Sequence, residues 1–276
     1  MIPVIIKMRY IKAVLIFVIS LALSTSVLAQ RAEIGINAGG AGYLGDLNQN
    51  NPVKISGISA GAFARINFNP YLGLGLHYTY GEIKGDDLKS SNDQFKERAL
   101  NFNTSIHEVS LLANLNFFDI YSASSKRKFT PYIFAGVGGF YFNPKATYDN
   151  VKYTLSDYTT NAKKDGTPVT YKQYAISVPY GVGVKYKLTD YLTLFSEIGY
   201  RTTFTDFIDD VGDYYYLNTM PGSTGASRYF PPYNASTTAS IGVPGTQRGD
   251  LRKRDTYMFV SIGISYTFVS QKCFTF

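Results

Sequence analysis

The stretch "TYMFVSIGISYTF" (residues 256–268) decides how the rest of the chain is read. Met258, Val260, Ile262, Ile264, Tyr266 and Phe268 fall on one face of an extended chain, and Phe259, Ser261, Gly263, Ser265 and Thr267 on the other. Alternation of period two marks a strand, and here it outlasts by far the ~5–6 residues usual in globular sheets. One face is apolar throughout and ends in rings, while the other carries mostly glycine and hydroxyls. The question is whether the apolar face meets a second sheet or acyl chains.

The same design recurs along the chain. In 57–68, Ile58, Ala60, Ala62, Ala64, Ile66 and Phe68 oppose Ser59, Gly61, Phe63, Arg65 and Asn67. In 71–83, Leu72, Leu74, Leu76, Tyr78 and Tyr80 oppose glycines, His77 and Thr79. In 177–188, Val178, Tyr180, Val182, Val184 and Tyr186 oppose Gly181, Gly183, Lys185 and Lys187. In 192–204, Leu192, Leu194, Ile198 and Tyr200 oppose Glu197, Arg201 and Thr203. A weaker, glycine-rich strand occupies 31–44. Those at 105–118 and 130–143 are apolar on much of both faces, which leaves their parity open. Eight strands result.

Three connections are short, "NPY", "DIYSASSKRK" and "TD", and they alternate with longer ones, the longest spanning 206–255. Short turns on one rim and long loops on the other are the habit of a transmembrane β-barrel. A soluble two-sheet sandwich predicts neither that asymmetry nor strands of this length. Hydrocarbon offers no partner for a free N–H or C=O, so an open sheet edge would cost several kcal/mol per group. The reading is therefore an all-β, eight-stranded antiparallel barrel whose Leu, Val and Ile stripes face lipid.

The ends agree with this. Lys7, Arg9 and Lys12 precede the apolar run "AVLIFVISLAL" (13–23), and "VLA" (27–29) offers small residues for cleavage before Gln30. Residues 1–29 are expected to be a signal peptide, and 30–276 a single barrel domain. Loss of those three cations lowers the formal charge from +7 to +4, which gives no warrant for nucleic-acid binding. A lone cysteine, Cys273, excludes an intrachain disulfide framework, and two histidines, His77 and His107, make a His-rich metal site implausible. The expected location is the outer membrane of a Gram-negative bacterium, with lipid as a partner, both termini in the periplasm and no cofactor.

Two groups of polar residues invite chemistry. "RTTFTDFIDDVGDYYY" (201–216) clusters Asp206, Asp209, Asp210 and Asp213 among rings. These could form a divalent-cation site, although the spacing is not that of an EF-hand loop. They could equally be a solvated loop base paired with Arg248, Arg252, Lys253 and Arg254, and the position just past a strand end favours this second reading. Inward-facing Arg65, Glu108, Lys185, Glu197 and Arg201, with His77, Asn114 and Asn116, read as a structural polar ladder, because eight strands enclose a lumen that side chains just fill. Some barrels of this size modify lipids through a histidine, a serine and an acid. His107 has Ser105 and Ser110 nearby, but Glu108 points to the opposite face, so no such triad assembles. "AGGAGYLGD" (38–46) and "AGVGGFYF" (135–142) lack the βαβ setting of phosphate loops.

Blocks across nearly the whole mature chain resemble one family. They are "EIGINAGGAGYLGDLN" (33–48), "LNFNTSIHEVSLLANLNFFD" (100–119), "PYIFAGVGGFYFNP" (131–144), "GYRTTFTDFIDDVGDYY" (199–215) and "QRGDLRKRDTYMFVSIGISYTF" (247–268). Together they look like the PorG-like outer-membrane barrels associated with type IX secretion. The resemblance implies an eight-stranded barrel without catalytic activity, a component or anchor of a secretion and gliding apparatus, meeting periplasmic ring proteins. The alternatives are an adhesin-like barrel working through its outer loops and, behind it, a lipid-modifying enzyme.

Overall fold

The computed structural model describes residues 31–122, 125–148, 150–216 and 245–268. The expected signal peptide, the middle of the longest loop (217–244) and Cys273 lie outside the described residues. The strands are β1 (Arg31–Leu44), β2 (Ile55–Asn67), β3 (Leu72–Asp86), β4 (Asn101–Asn116), β5 (Phe129–Tyr148), β6 (Val151–Thr154), β7 (Asn161–Ala162), β8 (Pro168–Val169), β9 (Tyr174–Lys187), β10 (Leu192–Thr203), β11 (Tyr214–Tyr215) and β12 (Thr256–Thr267).

Eight of them, β1 to β5 with β9, β10 and β12, pair antiparallel in sequence order. β12 then returns to β1 in unbroken register from Glu33↔Thr267 to Leu44↔Thr256. The sheet is thus closed and the wall has no edge. Glycine permits the closing strands to approach: a Cβ on Gly39 would lie 1.9 Å from the Val260 carbonyl oxygen. β6 extends β5 as a hairpin beyond the wall, and β7, β8 and β11 form a small separate sheet among the long loops.

The distribution of side chains is inverted relative to a water-soluble protein. Ile36, Ile58 and Ile262 are 63%, 65% and 58% exposed, while Arg65, Glu108 and Lys185 are 3%, 0% and 2% exposed. Single exposed apolar residues are normal, but a continuous belt of them around every strand marks a surface made for another apolar phase. The two strands of open parity resolve in the same sense. Val109, Leu111 and Leu115 of β4, with Ile133, Val137 and Tyr141 of β5, point outward. Phe102, Ile106 and Leu112, with Phe134, Phe140 and Phe142, point inward. Both faces are apolar because the lumen near the long-loop rim is filled by rings rather than by charges.

The lumen is layered. Towards the short-turn rim, Arg65 lies 3.3 Å from Glu33, and Asn67 donates to Glu33 at 2.9 Å. Lys185 donates to Asn116 Oδ1 at 3.0 Å and sits 4.8 Å from the Tyr132 ring. Ile120 and Tyr121, from the turn after β4, tuck in beneath them. Higher up, His77 stacks on Phe63 at 4.9 Å, and Glu197 accepts from Tyr132 at 2.8 Å. Above these, Arg201 pairs with Glu108 at 3.5 Å and lies 4.5 Å from the Phe259 ring, and Tyr257 donates to Glu108. Each buried charge has an opposite charge or polar partners, as a low-dielectric interior demands.

The inverted wall gives a direct test. Ile262→Arg lies mid-strand on the outer face and should cost about 2–4 kcal/mol in a bilayer, against about 0.5 kcal/mol on a watery surface. Urea titration of the barrel refolded into liposomes measures the difference. A near-neutral result would mean that Ile262 faces water.

Candidate functional site

The acidic stretch does not run out into water. After Thr203 the chain turns inward, placing Ile208 and Val211, at 0% and 2% exposure, in the mouth of the barrel. There they join Tyr43, Ile83, Phe102, Phe140, Phe142 and Tyr257 in one apolar cluster, with Phe207 packed beside it. Burying such side chains stabilises by about 1.5–3 kcal/mol each, which offsets the cost of drawing carboxylates in with them. The turn is held by Asp209, whose Oδ1 accepts from Val211 N–H at 2.9 Å. Asp210 takes a left-handed conformation (φ 66°), which aspartate tolerates better than most residues. The expected solvated loop base is therefore corrected: Asp209 and Asp210 are buried, because Ile208 and Val211 on either side of them seek the aromatic mouth.

Two arginines tie the long loops over this plug. Arg98, at the end of the short helix Asp93–Arg98, grips Asp87 through Nε at 2.7 Å and Nη2 at 2.9 Å. It also donates to the Asp46 carbonyl at 3.0 Å and the Arg248 carbonyl at 2.9 Å, so three loops meet on one guanidinium. Arg248 pairs with Asp210 at 3.2 Å and donates to Asn161 Oδ1 at 2.7 Å, which brings in the loop after β5. Of the cations expected to pair with the aspartates, Arg248 does so. Arg252 pairs instead with Asp250 at 2.7 Å, and Arg254 lies 4.6 Å from the Phe204 ring.

Beneath the clamps sits an acidic cluster of different membership from the four aspartates grouped by sequence. Asp46, Asp206 and Asp255 hold carboxylate oxygens within 4.8 Å of one another. Asp206 belongs to the acidic stretch, whereas Asp46 and Asp255 come from the end of β1 and the approach to β12. Asp209 adjoins them through Tyr43, which donates to Asp209 and, at 3.4 Å, to Asp255. Asp210 is drawn off to Arg248, and Asp213 is not part of the group. Burial pushes Asp46 up to about 7, with Asp250 adding to the shift. Burial likewise pushes Asp206 up to about 8, reinforced by Asp46, Asp250 and Asp213. Asp209 and Asp255 are driven well above the ordinary carboxylate range, again by burial first and the neighbouring acids second.

Three oxygens are fewer than the 6–8 that calcium takes. Moreover, hydrogen-bond donors already point at the same carboxyls: Ile208 N–H to Asp255 at 3.0 Å, and Asp250 N–H to Asp46. Those donors favour the charged form, but burial and the neighbouring acids outweigh them and push both carboxyls upward.

The residues of the sequence-derived ladder fall on the lumen side: Arg65, Glu108, Lys185 and Arg201 buried, Glu197 half-buried. Glu33, the carboxylate that pairs Arg65, went unrecognised because its strand is rich in glycine. Its phase, opposite Ile34 and Ile36, was the available signal. His107 faces outward, with Nδ1 2.9 Å from the Tyr78 hydroxyl and the Tyr80 ring edge-on at 5.2 Å. Glu108, its neighbour in sequence, is committed to Arg201 and Tyr257 inside.

Comparison with known proteins gives a family and a set of folds. The family described as "Domain of unknown function (DUF6089)" matches residues 12–215, well over half of the chain. No curated protein matches significantly. Among solved structures, the N-terminal β-barrel domain of OprF from Pseudomonas aeruginosa is similar at 12% identity, with 86% of this chain and 97% of that one covered and a TM-score of 0.36. Ail, the attachment invasion locus protein of Yersinia pestis, is similar at 10% identity, 87% and 100% coverage and a TM-score of 0.40. A major outer membrane protein from Thermus thermophilus is similar at 14% identity, 87% and 100% coverage and a TM-score of 0.40.

Two outcomes are expected of the cap. Arg98→Ala leaves Asp87 buried without its partner, a loss of about 3–5 kcal/mol. Limited proteolysis should then cut the long loops much faster while the heat-resistant electrophoretic form of the barrel persists; unchanged cleavage would contradict the clamp. The second outcome concerns pH. The folded values of Asp46 and Asp206 stand above the ordinary 3.8, so the closed cap binds more protons than the released loop. Its stability is complete below about pH 4 and is lost progressively as pH rises to about 7 to 8. Hydrogen exchange of residues 204–213, corrected for the intrinsic rate, should show protection declining from about pH 5 to pH 8, and Asp206→Asn should flatten the decline. Protection that rises with pH would refute it.

Proposed function

This chain belongs to the DUF6089 family, and from that premise we propose that it is a non-conducting, non-enzymatic outer-membrane barrel of a Gram-negative bacterium, serving as a component or anchor of a type IX secretion and gliding apparatus. The observation that carries the anchor reading is the filled lumen. Ile120 and Tyr121 occupy one end, Ile208 and Val211 the other, and paired charges the middle. A barrel so packed offers its outer wall and its rims, and little else, to the cell. The secretion role is supported by the sequence blocks at 199–215 and 247–268, which resemble PorG-like barrels.

In this reading the long loops face outside the cell, and the short turns reach the periplasm, where ring proteins would dock. The enzymatic alternative finds little support at His107, whose hydrogen bond among the described residues is to a tyrosine, with the adjacent acid inside the wall. Affinity purification of the tagged barrel from detergent-solubilised outer membrane should bring down periplasmic ring proteins, and deletion of the gene should abolish export of secreted cargo. The barrel alone in a planar bilayer should be electrically silent. Steady conductance would overturn the sealed lumen. Intact export with lost surface attachment would transfer the function to the outer loops.

A further inference from the structure

The long-loop end of the wall is stepped. β5 continues to Tyr148, whereas β9 begins at Tyr174, opposite Tyr141. Beyond Tyr141 that side of β5 is taken up by Gln173, whose carbonyl accepts from Phe142 N–H at 2.8 Å, and then by β6, which pairs with Lys145–Tyr148. Pro179 of β9 has no N–H to give, and the β5–β9 ladder is interrupted between Ala135↔Tyr180 and Gly138↔Ser177. Beside the start of β9 and the end of β10 lies a cleft of about 1120 Å³. Its floor is made by Val109, Tyr141 and Ile176, which alternate outward on β4, β5 and β9. Phe204 closes one side, and Lys172 and Lys253 stand among the lining residues.

The floor is continuous with the apolar belt of the wall, so the molecule that reaches it without leaving its own phase is a lipid. The basic residues are free for a ligand: Lys172, Lys253 and Arg254 make no ion pair among the described residues. Lys172 instead lies 5.6 Å from the Tyr174 ring, on the aromatic level of the rim. Two acids also reach the lining, Asp206 and Asp213, and Asp206 is gathered with Asp46 and Asp255. An apolar trough opening beside cations at the boundary of the hydrocarbon band is complementary to an acyl chain with a phosphate at its head.

We propose that this cleft seats one phosphorylated lipid of the surrounding leaflet, an acyl chain lying along Val109, Tyr141 and Ile176 and the phosphate between Lys172 and Lys253. The site rests on the membrane-spanning reading of the wall and is independent of the secretion role. The lipid would brace the start of β9 against the base of the loop after β10.

Native mass spectrometry of the full-length barrel, released from detergent and titrated with dipalmitoyl phosphatidic acid, tests this. One retained phosphatidic acid per barrel is expected, with dipalmitoylglycerol and inorganic phosphate retained at least ~10-fold more weakly. The double charge reversal Lys172→Glu with Lys253→Glu should weaken retention by a similar factor. The same reversal at Lys126 and Lys128, on the opposite rim, should leave it unchanged. Ile176→Trp, which fills the trough without touching a charge, should also displace the lipid while the folded band on gels persists. Equal retention by the wild type and both cleft variants would overturn the site. So would equal loss from either rim, which would show surface charge alone at work. Co-purification of ring proteins is a separate readout, so failure of either proposal leaves the other standing.

Discussion

The fold depends on a constraint of the backbone. In hydrocarbon an unpaired N–H or C=O has no water to turn to, so a sheet that enters it must close. The pairing of β1 with β12 meets that demand for the whole wall, and the rest of the structure is a consequence. Closing eight strands sets a lumen about as wide as the side chains that fill it. Filling it with strands whose outer faces are reserved for lipid forces every charge inward. Glu33 with Arg65 and Glu108 with Arg201 are the result, and they are less a source of stability than a way of making inward charge tolerable.

The same logic governs the mouth. Above Glu108 the inward residues change from charged to aromatic, and this apolar collar has to be covered. The loop after β10 covers it with Ile208 and Val211, carrying Asp209 and Asp210 into the interior. The loop thereby acquires carboxyl groups with little option but to hold protons or find arginine. Asp210 finds Arg248, and Asp206 and Asp209 join Asp46 and Asp255. Burial and the neighbouring acids raise the proton affinity of Asp46 and Asp206, which couples the fit of this lid to pH.

Much of this was legible in sequence, and what was not has a physical cause. Strands such as β12, β2, β3 and β9 declare themselves because one face is uninterrupted hydrocarbon. β4 and β5 do not disclose their parity because Ile106, Phe140 and Phe142 line an aromatic lumen as Val109 and Val137 line the lipid face. Glu33 hid in a strand of glycines. Asp209 and Asp210 lie inside the boundary that local pattern puts them outside. Their environment is set by Tyr43, Asp46 and Asp255, contacts between distant parts of the chain that local pattern does not encode. The clamp made by Arg98 is of the same kind: its partners lie on three different loops.

The central claim is that successive side chains of each wall strand face lipid and sealed lumen in turn. Nitroxide scanning of residues 258–266 in liposomes, with Cys273 replaced by serine, tests it most directly. Labels at 260, 262 and 264 should be relaxed by oxygen and not by a water-soluble nickel chelate, and labels at 261, 263 and 265 by neither. Chelate access at 262, or a pattern without period two, would contradict a closed wall in the membrane.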